Sequence, residues 1–217
     1  MADVEIETAR EQRPPRFQTF SALRNTNFRY LWVSSAFISA GNQVQQIAMG
    51  LLVWEATNST IWVGTVLGIR ALPILVVGPL AGVAIDRLDR KKLFLAAQLG
   101  LVLTAFFFGL DVYLHPEQIP VWHPLVFTFL LGLDAALSQP VRQAMIVNTV
   151  PREDITNAIA LNNSANSVMQ SVAPLISVGL IALPWGVAGN FFIQSAAYVA
   201  VFLIILPLKT PFREATA

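Results

Sequence analysis

Long uncharged stretches, separated by short charged or turn-forming segments, dominate the sequence of this chain. A membrane-spanning helix needs about 20 mostly apolar residues, and stretches of that length recur along the chain. The run 155–208 contains no charged residue and is long enough for two spans, with a turn predicted at Leu183-Pro184-Trp185-Gly186. The pattern therefore predicts six transmembrane helices, at about 28–54, 61–85, 93–114, 124–146, 155–183 and 187–207.

The composition supports a membrane protein and excludes several classes of function. Apolar residues make up 55% of the 217 residues and charged residues only 12%, whereas a soluble domain carries about 25% charged residues. The mean hydropathy is +0.59. These values argue against a soluble enzyme, a nucleic-acid-binding protein and a disordered scaffold. Because the chain has no cysteine and only two histidines, His115 and His123, we expect no thiolate site, no HExxH motif, no bound metal and no cofactor.

The basic residues predict the orientation of the spans. Every Lys and Arg except Arg70 lies before or at the start of the first span, after the sixth, or near the turns that follow the second and fourth spans. Basic residues accumulate on the cytoplasmic side of membrane proteins, so we predict a plasma-membrane protein with both termini in the cytoplasm. Residues 1–22 are then a cytoplasmic arm, 23–208 the six-helix domain and 209–217 a cytoplasmic tail. Trp54, Trp62, Trp122 and Trp185 fall at the predicted outer boundary, as expected of an interfacial aromatic belt.

Polar side chains inside the spans follow helical periodicity. Spacings of three and four residues place the polar groups of the first span on one face and those of the fifth on another; these groups are Asn42, Gln45 and Gln46, and Asn162, Asn163, Asn166 and Gln170. Such groups face the bundle interior or a water-filled cavity. We therefore predict that spans one, two, four and five line a polar cavity. Spans three and six, whose most polar residues are Gln98 and Gln194, are predicted to face lipid.

The second and fourth spans each carry one charge, Arg70 and Asp134. Both lie about nine or ten residues from the outer start of their span, near the middle of the membrane at about 1.5 Å per residue. Each costs roughly 3 kcal/mol at that depth, which favours a functional role, and Asp134 is the candidate for proton coupling. The alternatives stay open: a structural salt bridge between the two, and, for the amides, hydrogen bonds that hold the helices together.

The turn between the second and third spans contains a pattern that charge asymmetry alone does not explain. It runs from Gly82 through Asp86, Arg87 and Asp89 to Arg90-Lys91-Lys92. A carboxylate at the carboxyl end of a helix is disfavoured by the helix dipole, so Asp86 needs a basic side chain or the amino end of another helix as its partner.

This turn resembles the signature loop of the major facilitator superfamily, Gly-x-x-x-Asp-Arg-x-Gly-Arg-Arg/Lys, with Asp89 where glycine is usual. Three other segments are similar to the enterobactin-exporter-like, drug-efflux branch of that superfamily: 23–29, 139–144 and 153–162. In the fifth span, Ala173-Pro174 is followed by Leu175, where that branch tends to have further glycine.

The resemblance implies an all-α membrane fold that is one half of a major-facilitator bundle, built as a 3+3 inverted repeat. It implies a secondary transporter that exports small hydrophobic or siderophore-like molecules by exchange with protons. It assigns Gly82, Asp86, Arg87 and Arg90 to a conformational gate, in which Asp86 meets a helix end of the other half and Arg90 joins a charge network there.

The superfamily has two six-helix halves, and this chain has one. We expect a truncated amino-terminal half, or a chain that pairs with a second copy or with a separate carboxyl-terminal half. The sequence gives less support to an ATP-driven transporter, a membrane enzyme or a channel. There is no phosphate-binding Gly-x-x-x-x-Gly-Lys loop, no Ser/His pair at one membrane depth and no filter-like loop. A non-transporting fragment or assembly factor that binds a partner remains the alternative.

Overall fold

The computed structural model describes residues 20–115 and 119–208, and within them every regular element is helical. The predicted tail and the predicted arm up to residue 19 lie outside the described residues. Short 3₁₀ turns occupy Ser21–Arg24 and Arg152–Asp154. The helices are α1 Thr26–Thr57, α2 Thr60–Gly68, α3 Ala71–Arg87, α4 Arg90–Leu114, α5 Trp122–Thr149, α6 Ile155–Ile181 and α7 Gly186–Ile205.

The second predicted span is two helices rather than one. The sequence predicts a continuous helix over 61–85, and the structure corrects this: α2 ends at Gly68, α3 begins at Ala71, and Arg70 stands in the break. Pro73 explains the break, because a proline clashes with the carbonyl four residues earlier and has no N–H to bond it. That carbonyl, on Ile69, instead accepts the N–H of Leu72 at 3.2 Å in a tighter turn.

Five segments of the described chain are long and apolar enough to cross a membrane, by length and composition. They are Thr60–Pro79, Arg90–Leu114, Trp122–Thr149, Arg152–Ile181 and Gly186–Ile205. The remaining helix, α1, has ample length at 32 residues. Its four central amides, Asn42, Gln43, Gln45 and Gln46, reduce its hydropathy. The cost of that polarity in lipid is removed if the amides face inward.

The helices form an arc in which each packs on its neighbours. The helix α7 lies between α1 and α4, and α6 packs on the other side of α1. The helix α5 packs against both α4 and α3. Two apolar clusters fill opposite ends of the bundle. The proximal cluster, at the end where the described chain starts and finishes, includes Phe28, Leu31, Phe94, Met145 and Ile205. The distal cluster includes Met49 and three phenylalanines, Phe108, Phe127 and Phe191. The rings of Phe108 and Phe127 stack with centroids 4.1 Å apart, and Phe191 meets both edge-to-face at 4.8 and 5.6 Å.

Hydrogen bonds tie the helix ends together at the proximal end. Ser21 Oγ donates to Asp154 at 2.5 Å, and Lys91 Nζ donates to the carbonyls of Leu206 and Leu208 at 2.7 Å. Asp89 caps α4 by accepting the N–H of Lys92 at 3.1 Å, with an extended backbone that any residue adopts. The residue that departs from the resembled loop therefore has a helix-capping role.

The polar faces of α4 and α7 point into the bundle, which corrects the prediction that spans three and six face lipid. Gln98 of α4 is fully buried. Asn190, Gln194 and Tyr198 of α7 are buried as well. Because α7 lies between α1 and α4, its polar face is covered by protein on both sides.

Candidate functional site

A polar cavity of about 310 Å³ lies between the two apolar clusters. Phe94 of the proximal cluster and Leu101, Leu131 and Tyr198 of the distal cluster form parts of its wall. Most of its lining is polar or charged: Ser39, Asn42, Gln43, Gln46, Arg70, Asp134, Ser138, Gln139, Arg142, Asn166, Gln170 and Tyr198. The cavity thus draws side chains from α1, the break between α2 and α3, α4, α5, α6 and α7.

The structure brings Arg70 and Asp134 to the same cavity without joining them directly. No ion pair shorter than 4.0 Å links them, although both are described residues. The two charges are nevertheless close enough to interact electrostatically. Asp134 accepts a hydrogen bond from Ser138 Oγ, one helical turn away, at 3.0 Å. The carboxylate is therefore held by a hydroxyl and attracted by a guanidinium, and no tight salt bridge stops a proton or ligand from reaching it.

The break at Arg70 rests directly on α5. A Cβ built on Gly132 would come within 2.5 Å of the Arg70 carbonyl oxygen and 3.0 Å of Pro73 Cγ. Only glycine allows this approach of the two backbones. Since Gly132 is two residues before Asp134, the same contact sets the position of both charged residues relative to each other.

Hydrogen bonds between helices fix several of the cavity amides. Ser39 Oγ of α1 donates to Asn166 Oδ1 of α6 at 2.5 Å. On the other side of α1, Tyr198 OH donates to Asn42 Oδ1 at 3.0 Å and accepts from Gln194 Nε2 at 3.1 Å. The amides of Asn42 and Asn166 therefore hydrogen-bond to neighbouring helices and also line the cavity. They hold the helices together and remain available as part of the candidate binding site.

Two of the amides predicted for the cavity lie elsewhere. Asn42, Gln46, Asn166 and Gln170 line it, as do Arg70 and Asp134, but Gln45 does not, although it is only 2% exposed. Successive residues of a helix point about 100° apart. The cavity face of α1 is thus centred on Ser39, Asn42 and Gln46 rather than on Gln45. Asn162 is buried beside a separate, smaller pocket between α5 and α6.

Arg142 is a candidate functional residue that the charge pattern of the sequence did not identify. The charge pattern groups Arg142 with the basic residues near a cytoplasmic turn, but the residue lies inside α5 and lines the cavity at only 9% exposure. Its Nη1 donates to Ser35 Oγ of α1 at 2.6 Å. The available signal was the spacing of Asp134, Ser138 and Arg142, which recurs every four residues and therefore follows one helical face.

The predicted gate residues lie at the junction of α3 and α4. Gly82 is exposed within α3, and a Cβ there would meet nothing within 4 Å. The backbones of Asp86 and Arg87 form the end of α3, but their side chains lie outside the described residues. Arg90 begins α4 and is buried, at 5% exposure. Of the gate residues whose side chains or Cα positions the structure describes, neither Gly82 nor Arg90 lines the cavity that contains Asp134, and the gating role stays a prediction.

Comparison with known proteins agrees with this architecture. The family model described as transmembrane secretion effector, a division of the major facilitator superfamily, matches residues 17–216. The staphyloferrin A transporter of Staphylococcus aureus is 26% identical over 188 residues, which cover 83% of this chain and 45% of that transporter. The macrolide efflux protein A of Streptococcus pyogenes is 27% identical over 72% of this chain and 38% of its own length. No solved structure matches the chain.

Two consequences follow from these matches. The relatives are transporters by name rather than enzymes, and this chain spans less than half of the length of each. The family match covers nearly all of the chain, and the polar cavity inside an apolar helical bundle is consistent with it. The chain therefore belongs to the transmembrane secretion effector family of the major facilitator superfamily.

Proposed function

We propose that the chain forms one half of a secondary active transporter that exports small hydrophobic or siderophore-like molecules in exchange for protons. The observation that carries the proposal is the cavity between the two apolar clusters, which holds Asp134, Arg70 and several amides within one bundle. Binding sites of transporters lie near the middle of the membrane, where irregular or broken helices expose polar groups. The break at Arg70 is a feature of that kind.

Asp134 is the residue proposed to couple proton movement to transport. A carboxyl group can carry a proton across the bundle if it is reached first from one side and then from the other. Asp134 lines the cavity, and its one described hydrogen bond comes from Ser138. Asp134 is the only carboxylate of the described residues that lines the cavity, so a proton gradient acting through it is the proposed energy source.

The proposed location is the plasma membrane, with both termini in the cytoplasm. The proximal end of the bundle carries Arg24, Arg29, Lys91, Lys92 and Arg152, and the distal end carries exposed Trp54, Trp62, Trp122 and Trp185. Basic residues favour the cytoplasmic side, so we place the proximal end there.

The complete transporter, in this proposal, contains a second set of six helices. The partner is a complementary carboxyl-terminal half or a second copy of this chain. Gly82, Asp86 and Arg90 belong to the gate that this partner completes, with Asp86 at a helix end of the partner and Arg90 in its charge network.

Reconstituted transport tests the proposal. The chain is expressed with the coding sequence that adjoins it in its genome, the product is placed in proteoliposomes, and movement of a fluorescent hydrophobic dye is followed under an imposed proton gradient. We expect dye movement that stops when the gradient is collapsed. Dye binding without movement, in every assembly of the chain, would instead favour a non-transporting assembly factor.

A further inference from the structure

We propose that Arg142 is the recognition site for a carboxylate on the transported molecule, so that the cavity takes acidic amphipathic cargo. The inference rests on the proposed function, since it names the chemical class of the substrate of the same cavity. The helical bundle buries the positive charge of Arg142 at the edge of the cavity.

The charges of the cavity do not balance. Its lining contains two arginines, Arg70 and Arg142, and one carboxylate, Asp134. Arg70 and Asp134 interact electrostatically with each other. Arg142 lies eight residues after Asp134 on α5, about 12 Å further along the helix at 1.5 Å per residue. No carboxylate of the described residues lies within 4.0 Å of it. One positive charge is therefore left over at the proximal side of the cavity.

The local hydrogen bonds leave most of the Arg142 guanidinium available. A guanidinium has five N–H donors and no acceptor. Within the described residues, the Arg142 guanidinium makes a single hydrogen bond, from Nη1 to Ser35 Oγ. The Ser35 hydroxyl is itself oriented, because it donates to the Leu31 carbonyl at 2.8 Å and must accept from Arg142. Ser35 thus positions the guanidinium without neutralising it.

Burying an unpaired charge is unfavourable, and a ligand that supplies the opposite charge removes the penalty. Arginine matches a planar carboxylate with two parallel hydrogen bonds. A monocarboxylate would bring the cavity to neutrality, whereas a phosphate dianion would give it an excess negative charge next to Asp134. Phe94 and Ile38 line the same space and can receive the apolar part of the molecule, which completes the description of an amphipathic acid.

Three aromatic probes of one shape test the assignment: 1-naphthoate, 1-naphthamide and 1-naphthylmethylammonium. Their binding to the full chain in lipid nanodiscs is measured by fluorescence polarisation without a proton gradient. Charge-assisted hydrogen bonds are about twice as strong as neutral ones. We therefore expect naphthoate to bind at least about tenfold more tightly than naphthamide, and the cation to bind most weakly. Equal affinities for naphthoate and naphthamide would overturn the inference, and this comparison needs no variant.

Substitutions then locate the preference. Arg142→Gln should remove the preference for naphthoate while naphthamide still binds, which reports that the cavity is intact; Arg142→Lys should keep part of the preference. The matched control is Arg152→Gln, a change of an exposed arginine outside the cavity, which should leave all three affinities unchanged. A naphthoate preference that survives Arg142→Gln would overturn the role of this residue.

Three further outcomes separate this inference from other ligand classes and from the proposed function. If inorganic phosphate displaces naphthoate better than acetate does, the site recognises phosphate esters, and the proposed recognition of a carboxylate is overturned. Proton-driven movement of a neutral dye together with no carboxylate preference would overturn this inference and leave the proposed function standing. Carboxylate binding without any transport would leave the inference standing and overturn the proposed function.

Discussion

The carbonyl oxygen of Arg70 lies against Gly132 so closely that a Cβ at position 132 would come within 2.5 Å of it. The contact joins the break between α2 and α3 to the middle of α5, and both partners are backbone. Neither can move aside as the end of a flexible side chain would. The contact therefore fixes the two halves of the cavity wall that carry Arg70 and Asp134.

Substituting Gly132→Ala should destabilise the bundle, because the added methyl group must push α5 away from the break. Overpacking of this kind costs about 1–3 kcal/mol. The measurement is the midpoint of unfolding of the chain in mixed micelles of mild detergent and SDS. Gly100→Ala is the matched control, since a Cβ there meets nothing within 4 Å and alanine is the better helix former by about 1 kcal/mol. Equal midpoints for the two variants would contradict the close-contact argument.

The break between α2 and α3 could have been predicted from the sequence, but the contact between Arg70 and Gly132 could not. Pro73 is visible in the chain, and its clash with the carbonyl of Ile69 follows from local geometry. The match between that break and Gly132 depends on how α3 packs on α5, and no local pattern contains this information. Long uncharged stretches indicated the six spans because burial in lipid acts on each segment independently.

Membrane orientation can be tested with single cysteines, because the natural chain contains none. Thr60 at the distal end and Leu88 at the proximal end are both exposed. In intact cells, a membrane-impermeant maleimide should label Thr60→Cys and leave Leu88→Cys unlabelled until the membrane is opened. Each variant serves as the control for the other. The reverse labelling would place the basic end outside and contradict the proposed orientation.

Replacing Asp134→Asn should abolish proton-driven transport in the assembled protein while substrate binding remains measurable. The amide has nearly the same shape and keeps an acceptor for Ser138, but it cannot bind and release a proton. Dye movement in proteoliposomes, with and without a proton gradient, measures the effect. Glu55→Gln makes the same chemical change at an exposed site near the end of α1 and should leave transport unaffected. Gradient-dependent transport in Asp134→Asn would refute the coupling role.

The hydroxyl of Tyr198 should stabilise the bundle measurably, because it joins Gln194 and Asn42 in a buried chain of hydrogen bonds. Tyr198→Phe leaves the packing of the ring in place and removes both bonds. We expect a loss of about 0.6–1.5 kcal/mol in the free energy of unfolding. Tyr113→Phe is the control, since that ring is 53% exposed. No difference between the two variants would mean that water replaces the Tyr198 hydroxyl without cost.

The candidate cavity was only partly predictable from the sequence. Spacing of three and four residues correctly grouped Asn42 with Gln46 and Asn166 with Gln170, since residues so spaced share a helical face. It could not separate Gln45 from Gln46, because the rotation of α1 is set by α6 and α7. Arg142 was missed for a related reason: hydropathy alone does not distinguish a basic residue at the water interface from one buried two turns inside a helix against Ser35.

The outward surface of α6 provides the last prediction, which concerns association of the chain. The span that contains α6 is mostly exposed, and the exposed residues of its middle part outside the cavity include the polar Asn163, Ser164, Ser167 and Ser171 beside Val168 and Val172. The three serine hydroxyls bond to carbonyls of their own helix at 2.9–3.1 Å, so they need no further partner. The amide of Asn163 makes no hydrogen bond within the described part of the chain.

In hydrocarbon, each unsatisfied polar group costs several kcal/mol. Contact of the Asn163 amide with a second protein surface is therefore more favourable than contact with lipid. We therefore expect the 217-residue chain to form dimers or larger assemblies in nanodiscs, as measured by native mass spectrometry, and to be inactive in transport as a monomer. Asn163→Leu should shift the population toward monomer. Asn148→Leu, which changes an exposed amide close to the proximal end of α5, should not. A monodisperse monomer that transports dye would contradict both the association and the need for a second six-helix half.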